Sequence, residues 1–450
     1  MEKLISLCKR RGFVFPGSEI YGGLANSWDF GPLGAQMRMN IKTDWWKRAV
    51  EMRDDMVGLD GAIMMNPKVW EASGHVSSFS DPLVEDLKTH KRYRADHLIE
   101  EALGKDVDGM PMEELAAIIK EHNLKSPEGN ELSAPKQFNL MFETAIGKTE
   151  GEKSTVYLRP ETAQAIFVNF KNVLETSRKR LPFGIAQIGK AFRNEITPGN
   201  FIFRTLEFEQ MEIEYFVEEG EWETHFEAWN QWMEAWAKSI GVDMERFSRL
   251  EVEAEKLAHY SKRTIDFEFA FPFGSKELWG LAYRTDFDLK NHADASGENL
   301  QYTDPEDNKR KFIPHVIEPS LGVDRTLLAV LASAYEEEEL DGGDVRTVMR
   351  FAPHIAPYQV AVLPLSKKDE LVGPARELYE TLLKNFRAEF DVTQSIGKRY
   401  RRQDEIGTPF CITFDFDSLG DGAVTIRDRD SMKQERVKIE DVQSYLLQKM

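Results

Sequence analysis

Residues 183–216 read FGIAQIGKAFRNEITPGNFIFRTLEFEQMEIEYF, with polar and apolar residues in near-regular alternation. The pattern predicts two strands joined by a turn at Thr197-Pro198-Gly199-Asn200, since proline and glycine interrupt regular structure. Successive side chains of a strand point to opposite faces, so each strand presents two sets of residues. Ala186, Ile188 and Phe192 form a face suited to a core. The other face is predicted to be polar.

This polar face gathers side chains suited to a nucleotide. It comprises Ile185, Gln187, Gly189, Ala191, Arg193 and Glu195 on the first strand, and Arg204, Leu206, Phe208, Gln210 and Glu212 on the second. Arginine binds phosphate through a planar fork of donors, and an aromatic ring offers a stacking surface. For any one of these residues alone, a solvated sheet face with cross-strand ion pairs is the simpler interpretation.

Two strings add a resemblance to a known family. FRNE at 192–195 and RTLEF at 204–208 resemble motif 2 of the class II aminoacyl-tRNA synthetases. EPSLGVDR at 318–325 resembles motif 3 of that class, in its glycyl form. An ordinary helix capped by Ser320 would explain the serine but would leave Arg325 unexplained. Together the strings favour a nucleotide site over a solvated face.

Further strings resemble glycyl-tRNA synthetases in particular. They are SGHV at 73–76, RAD at 94–96, LRPETAQ at 158–164, FEQME at 208–212, ELWG at 277–280 and SIGKRYRRQDEIGTP at 395–409. The last is similar to the family's anticodon-binding domain. The helix from Gly34 and the strand ending at Pro67 resemble motif 1, which implies a homodimer. The resemblance implies an α+β fold, with an antiparallel sheet flanked by helices and a C-terminal mixed α/β anticodon-binding domain.

The resemblance also implies an activity and a set of site residues. The activity is that of a glycine–tRNA ligase, which attaches glycine to tRNA(Gly) with ATP through a glycyl-adenylate. The implied catalytic residues are Arg193, Arg204 and Arg325. The implied ATP-binding residues are Arg193, Asn194, Glu195, Phe203, Arg204, Phe208, Glu277, Leu278, Gly322 and Arg325. The implied glycine-binding residues are Arg94, Glu161, Glu212, Arg284, Glu318 and Ser320. Mg²⁺ is expected with ATP, and Glu277 is the candidate ligand.

The roles implied for these residues suit the chemistry. Arg193 would hold the α-phosphate and Arg204 the γ-phosphate, while Phe208 and Arg325 would enclose the adenine. Glycine has no side chain to grip, so recognition falls on its ammonium and carboxylate groups. Carboxylates around the ammonium, and crowding at Cα, would exclude larger amino acids. Excluding a larger substrate is sterically simple, so no editing domain is expected.

The chain is expected to divide into a catalytic domain at 1–345 and an anticodon-binding domain at 346–450. Within the first, 96–136 is expected to be a helical insertion, and 221–260 a Trp- and Glu-rich helical segment. The acidic, glycine-containing stretch that ends at residue 344 is expected to be the hinge. We also expect a helix within 28–53, a strand at 57–65, mainly strands over 155–216 and a helix from about Ser320.

Composition restricts the function classes. The net charge of −19 argues against sequence-independent nucleic-acid binding by the whole surface. No apolar run is long enough to span a membrane and the N-terminus lacks a signal-peptide core, so the protein is expected to be cytoplasmic and to have no membrane partner. Cys8 and Cys411 are too few for a zinc site of four thiolates. Residues 85–91, where some relatives have cysteines, have none, so zinc is not expected.

Two alternatives stay open. The first is a non-catalytic relative that keeps the class II fold as a nucleic-acid-binding or accessory subunit. It is favoured by Leu206, which stands where the family usually has arginine, on the face assigned to the active site. The second is a synthetase of the same subclass for threonine, proline or histidine, against which Glu161 and the EPS string at 318–320 argue.

Overall fold

A computed structural model describes residues 1–105, 107, 110–147, 154–195, 199–340 and 342–450. Residues 197 and 198 of the predicted turn lie outside these ranges. In chain order the helices are α1 (Glu2–Arg11), α2 (Pro32–Trp46), α3 (Pro67–Ala72), α4 (His75–Ser78), α5 (Ala95–Leu103), α6 (Met112–Glu121), α7 (Ala163–Ser177), α8 (Trp222–Ser239), α9 (Phe287–Ser296), α10 (Val323–Ala334), α11 (Asp369–Leu382), α12 (Ile396–Ile406), α13 (Ser418–Asp421) and α14 (Val442–Lys449).

The strands lie between these helices, in several places two or three in succession. They are β1 (Val14–Pro16), β2 (Trp28–Phe30), β3 (Met56–Gly58), β4 (Ser80–Glu85), β5 (Arg92–Arg94), β6 (Lys136–Asn139), β7 (Glu143–Ile146), β8 (Ser154–Tyr157), β9 (Phe183–Phe192), β10 (Glu207–Val217), β11 (Phe247–Glu251), β12 (Arg263–Phe271), β13 (Gly274–Thr285), β14 (Tyr302–Thr303), β15 (Lys311–Phe312), β16 (His315–Gly322), β17 (Tyr335–Glu339), β18 (Val345–Met349), β19 (Val360–Pro364), β20 (Ala388–Phe390), β21 (Phe410–Phe414), β22 (Ala423–Asp428) and β23 (Gln434–Lys438).

A seven-stranded sheet forms the centre of the molecule, in the order β11-β12-β13-β16-β10-β9-β3. All its pairings are antiparallel except that between β3 and β9. The predicted hairpin is β9 and β10, and its register places Gln187 opposite Glu212 and Gly189 opposite Gln210. The predicted division of each strand into two faces is therefore confirmed within the sheet.

The apolar face of the sheet is covered by α2, α8 and α10. Ala186, Met211, Ile213 and Ile317 on this face join the largest core, to which the helices contribute residues such as Trp45. Most of these side chains are wholly shielded from solvent, which makes this core the main source of hydrophobic stabilisation. It holds the two long strands β9 and β10 in a fixed orientation.

The other face is covered only in part. Helices α7 and α9 pack on one end of it, where Phe170, Phe183 and Phe216 meet in a second core. Beyond that core the same strand faces carry polar residues, namely Gln187, Gln210, Glu212, Glu214, Glu318, Ser320 and Arg284. This face of the sheet therefore carries a row of buried or half-buried polar side chains next to the apolar core formed with α7 and α9.

The structure differs from the local expectations at two places. The strand expected at 57–65 ends at Gly58, and α3 begins at Pro67 with the side chain of Asn66 capping it. Over 155–216 strands predominate as expected, but the fifteen-residue helix α7 lies between β8 and β9. Its buried Ala163, Ile166, Phe167 and Phe170 recur at helical spacing, a signal that the alternation of the flanking strands obscured.

Motif 3 also begins differently from the expectation. Ser320 does not cap a helix: it lies within β16, and α10 begins one residue after Gly322. The strand continues because residues 315–322 pair on both sides, with β10 and with β13. Ser320 is thereby held on the polar face of the sheet.

The C-terminal part forms a second layer of helix on sheet. Its five strands are ordered β20-β19-β21-β22-β23, and β19 runs parallel to both of its neighbours. The basic run at 398–402 belongs to helix α12, where Arg399 is buried and donates to the carbonyl oxygens of Pro364 and Asp391.

The acidic stretch after α10 is part of a hairpin formed by β17 and β18. Met349, Phe351 and Ile355, which follow it, still belong to the first core, whereas the second core begins with Val360. The domain division at 345/346 stays a prediction. The insertion has a small core of its own, built mainly from α5 and α6. Among the described helices, none is both long and apolar enough to cross a membrane.

Candidate active site

A cleft opens over the polar face of the sheet, at the ends of β9, β10, β13 and β16. Its walls are Arg193, Glu195, Ile202, Phe203, Arg204, Thr205, Phe208, Glu209, Gln210, Glu277, Leu278, Trp279, Ser320, Gly322, Asp324 and Arg325. With the solvent space at its mouth it measures about 730 Å³, within the range of small-molecule sites. Every predicted ATP residue except Asn194 lines it.

Two arginines of this cleft are held by neighbouring groups. The Nε of Arg193 donates to the carbonyl oxygen of Pro160 at 3.0 Å. Its guanidinium lies 5.3 Å from the ring centres of both Phe79 and Phe208. Arg204 is less constrained, with its Nε 3.9 Å from the carboxylate of Glu195. The cleft thus presents two cations on the same wall.

Arg325 enters the cleft from the first turn of α10. Its Nη1 donates to the carbonyl oxygen of Glu277 at 3.0 Å and lies 3.4 Å from that residue's carboxylate. The guanidinium stacks over the ring of Phe203, 4.4 Å from the ring centre. Phe203, Arg325 and Glu277 therefore form one connected wall of the cleft.

Next to the cleft, three carboxylates converge. Glu212 accepts hydrogen bonds from the hydroxyl groups of Thr162 and Ser320, the latter at 2.8 Å. Glu318 accepts from Arg284 at 2.9 Å, and Glu161 accepts from Gln164 at 3.0 Å. Because Glu212 and Ser320 face each other across β10 and β16, the sheet register brings these groups together. Acceptor oxygens grouped in this way suit a small cation.

Arg284 is the buried cation beneath these acids. It makes two hydrogen bonds to Asp288 on α9, at 2.8 and 2.9 Å, besides that to Glu318. Its guanidinium also lies 3.9 Å from the ring centre of Tyr260. The side chain is 3% exposed, so these partners provide the hydrogen bonds and the compensating charge that water would otherwise provide.

Comparisons with known proteins agree with this geometry. A family model described as "tRNA synthetase class II core domain (G, H, P, S and T)" matches residues 144–334, and one described as "Anticodon binding domain" matches 359–449. The chain is 55% identical over 457 residues to the glycine–tRNA ligase of Geobacillus thermodenitrificans, covering 100% of this chain and 97% of the relative. It is 56% identical over 455 residues to that of Acetivibrio thermocellus, covering 99% and 97%.

The chain belongs to the glycine–tRNA ligase family. The relative from Lachnospira eligens, 56% identical over 457 residues and covering 99% of this chain and 98% of its own, gives the same assignment. The recognition of a class II glycyl enzyme from the motif strings is confirmed. So is the predicted fold, a class II core followed by an anticodon-binding domain.

Within this glycine–tRNA ligase fold, the charges of the pocket are unequal. Burial alone would raise the pKa of Glu161, but His75, Arg284 and Gln164 outweigh burial and hold this pKa well below its usual value. Burial raises the pKa of Glu318 to about 8, against the opposing effect of Arg284. The pKa of Glu212 is also raised, by burial and by the charge of Glu161. The pocket has a surplus of acids over cations.

Three predicted residues lie apart from the groups to which they were assigned. Arg94 pairs with Asp81 at 3.2 Å and with Asp96 at 2.5 Å. Asp81 in turn lies close enough to Glu195 and Arg204 of the cleft for their charges to affect its pKa. Asn194 does not line the cleft, and its N–H donates to the carbonyl oxygen of Leu140.

The third is Leu206, which was expected on the active-site face. Its side chain instead lines an adjacent apolar cavity with Leu24, Trp28, Phe30 and Phe142. The short helical turn Phe201–Phe203 precedes β10, which begins at residue 207. The alternation of side chains between the two sheet faces therefore does not extend to Leu206. Leu206 is thus no argument for a damaged nucleotide site.

Other residues of the site had no predicted role. Thr162 and Gln164 hold the oxygens of Glu212 and Glu161, and both belong to the LRPETAQ string. Asp288 follows Arg284 by four residues. Because β13 passes almost directly into α9, this spacing brings the two opposite charges together. Glu214 follows Glu212 by two residues on the same strand face, so alternation alone could have found it.

Glu277 is the residue that could contribute to a magnesium site. Its side chain is 52% exposed at the cleft, and it stands opposite Glu268 in the sheet register. Burial, together with Glu277 and Glu268, raises the pKa of Asp266 to about 6. Across the described part of the chain, no three acidic, His or Cys side chains form a group that could hold a metal ion by themselves. This donor set fits an ion held mainly by phosphates and water.

Proposed function

We propose that the chain attaches glycine to tRNA(Gly) in two steps, with ATP as the energy source. The observation that carries this proposal is the position of the carboxylate pocket, Glu161, Glu212 and Glu318, beside the arginine-lined cleft on one sheet face. The pocket suits the ammonium of a small amino acid, and the cleft suits a triphosphate. Family membership supports the same reaction.

In the first step a carboxylate oxygen of glycine attacks the α-phosphorus of ATP. The bond from this phosphorus to the bridging oxygen of the β-phosphate breaks, and pyrophosphate leaves. No protein nucleophile is needed, so the residues act by positioning the reactants and by neutralising charge. Arg193 is assigned to the α-phosphate and Arg204 to the γ-phosphate. Arg325, with Phe203 and Phe208, is assigned to the adenosine end.

Recognition of glycine is assigned to the pocket beside the cleft. Glu161 and Glu212 accept from the ammonium group, with Ser320 holding Glu212 in place. Arg284 keeps Glu318 oriented, since their two side chains are hydrogen-bonded and almost fully buried. Arg94 is also assigned to the substrate site, because it and Arg204 of the cleft both act on the charge of Asp81.

Mg²⁺ is expected to accompany ATP, and Glu277 is the residue assigned to it. When bound, the ion would neutralise phosphate charge. Glu277 also orients Arg325 through its carbonyl oxygen and its carboxylate.

In the second step a ribose hydroxyl of the tRNA 3′ end attacks the glycyl carbonyl carbon, and AMP leaves. The C-terminal domain at 359–449 is assigned to tRNA(Gly), in line with its anticodon-binding family. We further propose a homodimer. Ile20 and Tyr21 are 89% and 87% exposed and Leu24 is 61% exposed, a group of apolar side chains that a second copy would cover.

A charging assay tests the whole proposal. Purified protein, ATP, Mg²⁺ and radiolabelled glycine are incubated with a tRNA(Gly) transcript and, as control, with a tRNA(Ala) transcript. Acid-precipitable label on tRNA(Gly) alone is expected. Label on tRNA(Ala) as well, or no label on tRNA(Gly), contradicts the proposal.

A further inference from the structure

His75 connects the helical segment α3–α4 to the carboxylate pocket. Its Nε2 lies 3.2 Å from a carboxylate oxygen of Glu161, and its Nδ1 lies 2.8 Å from the hydroxyl oxygen of Ser73. Its side chain is 12% exposed and that of Glu161 16%. The proposed function gives His75 no role, although His75 touches one of the three pocket acids.

The imidazole ring is fixed by its neighbours. Trp70, which is wholly buried, meets the ring edge-on with 5.4 Å between ring centres. Phe79 also packs against the imidazole, with 5.4 Å between ring centres. The guanidinium of Arg193 lies 5.3 Å from the ring centre of Phe79. A continuous contact therefore runs from the pocket acid through two rings to the arginine of the cleft.

The hydrogen bonds of Glu161 define what His75 can do. One carboxylate oxygen accepts from Gln164 and the other faces His75 Nε2. An ionised carboxylate only accepts hydrogen bonds, so His75 Nε2 is the donor in this 3.2 Å contact. Each oxygen then keeps one lone-pair direction for another donor. The two partners together fix the plane of the carboxylate.

We propose that His75 is a positioning residue for glycine, holding Glu161 so that its remaining lone pairs point at the substrate ammonium. This inference rests on the proposed function, because it presumes that the pocket binds glycine. Loss of the His75 hydrogen bond leaves the Glu161 carboxylate free to rotate, which weakens glycine binding more than ATP binding. A purely structural His75 would affect both substrates, or neither.

Three variants separate these cases in ATP–pyrophosphate exchange. His75→Phe keeps a ring between Trp70 and Phe79 but removes the donor. His75→Gln loses the ring and keeps an N–H that can reach Glu161. His122→Phe adds the same phenylalanine at an exposed position of the insertion and serves as the matched control.

For His75→Phe we expect a rise of roughly 10- to 100-fold in the KM for glycine, the effect of losing one hydrogen bond to a charged group. Its KM for ATP should stay within about threefold of the starting value, and His75→Gln should recover most of the glycine KM. An unchanged glycine KM in His75→Phe overturns the inference. So does an equal rise in the KM of both substrates that His75→Gln fails to correct. Absence of glycine-dependent exchange in the unaltered protein would instead reject the proposed function.

Discussion

Arg284 and Glu318 lie on the adjacent strands β13 and β16, where Arg284 Nη1 donates to Glu318 Oε1 at 2.9 Å and both side chains are at least nine-tenths buried. Arg284 also binds Asp288, and its charge acts on Glu161, Glu212 and Glu214. One guanidinium therefore serves a group of acids that the fold brings together. Its removal would leave those acids buried without their cation.

Arg284→Met is expected to lower the free energy of unfolding by about 3–5 kcal/mol, because breaking a buried ion pair strands the remaining charge. Urea unfolding followed by tryptophan fluorescence measures the change. Arg180→Met, which removes an exposed arginine paired with Glu306, is the control and should leave the unfolding midpoint unchanged. An Arg284→Met protein as stable as the control would show that the pair contributes little.

Glycine binding is expected to strengthen as pH rises. The ammonium requires ionised carboxylates, and burial raises the pKa of Glu212 and brings that of Glu318 to about 8. Between pH 6 and 8.5 Glu318 loses its proton, so the KM for glycine should fall several-fold. The KM for ATP, measured in the same buffers, is the reference. A glycine KM that is constant or rises over this interval contradicts the assignment of these acids to the ammonium.

Glu214 makes a separate prediction about stability. It is wholly buried, with no hydrogen-bond partner for either carboxylate oxygen among the described residues. Burial and the charge of Glu318 raise its pKa well above the usual value. The stability that this group contributes is fully present below its unfolded-state pKa of about 4.3 and is lost as pH rises through the higher folded-state pKa.

Glu214→Gln mimics the protonated form at every pH. The melting temperature of this variant, relative to the unaltered protein, should therefore increase from pH 5 to pH 8. Differential scanning calorimetry at several pH values between these limits measures it. A difference that stays constant across the series, or declines, would mean that Glu214 is already ionised in the folded protein.

Arg193 tests the assignment of the cleft. Arg193→Lys keeps a positive charge but loses the planar donors and the contacts with Phe79 and Phe208. We expect the rate of glycine-dependent exchange to fall roughly 100-fold or more, with little change in melting temperature. Arg180 has an exposed side chain outside the cleft, so the control variant Arg180→Lys should catalyse exchange at the original rate. A similar rate in both variants would remove Arg193 from the reaction.

Strand alternation predicted much of the site from sequence. Gln187, Gln210 and Glu212 share a face because the hairpin register holds along β9 and β10. Alternation failed at Leu206, where a short helical turn shifts the parity before the strand begins. The motif strings supplied Glu161 and Glu318, and the family resemblance supplied Arg284. These residues come from separate elements that no local pattern could bring together.

What the sequence could not supply was contact between distant segments. His75 reaches Glu161 across more than eighty residues, and this contact depends on the packing of α3 and α4. In helix α12 the basic residue Arg399 donates to carbonyl oxygens in the interior of the domain, a burial that charge alone does not predict. Partners of this kind are set by tertiary packing, which overrides local preference.

Amino-acid-dependent ATP–pyrophosphate exchange tests the central claim most directly. The purified protein is assayed with Mg²⁺ and, in turn, glycine, alanine, serine, threonine, proline and histidine, with Glu318→Ala as the matched variant. We predict exchange with glycine alone, lost in Glu318→Ala. Exchange with another amino acid would keep the class II chemistry and refute the glycine assignment. No exchange with any of them, in a folded protein, would contradict the account and favour a non-catalytic binding subunit.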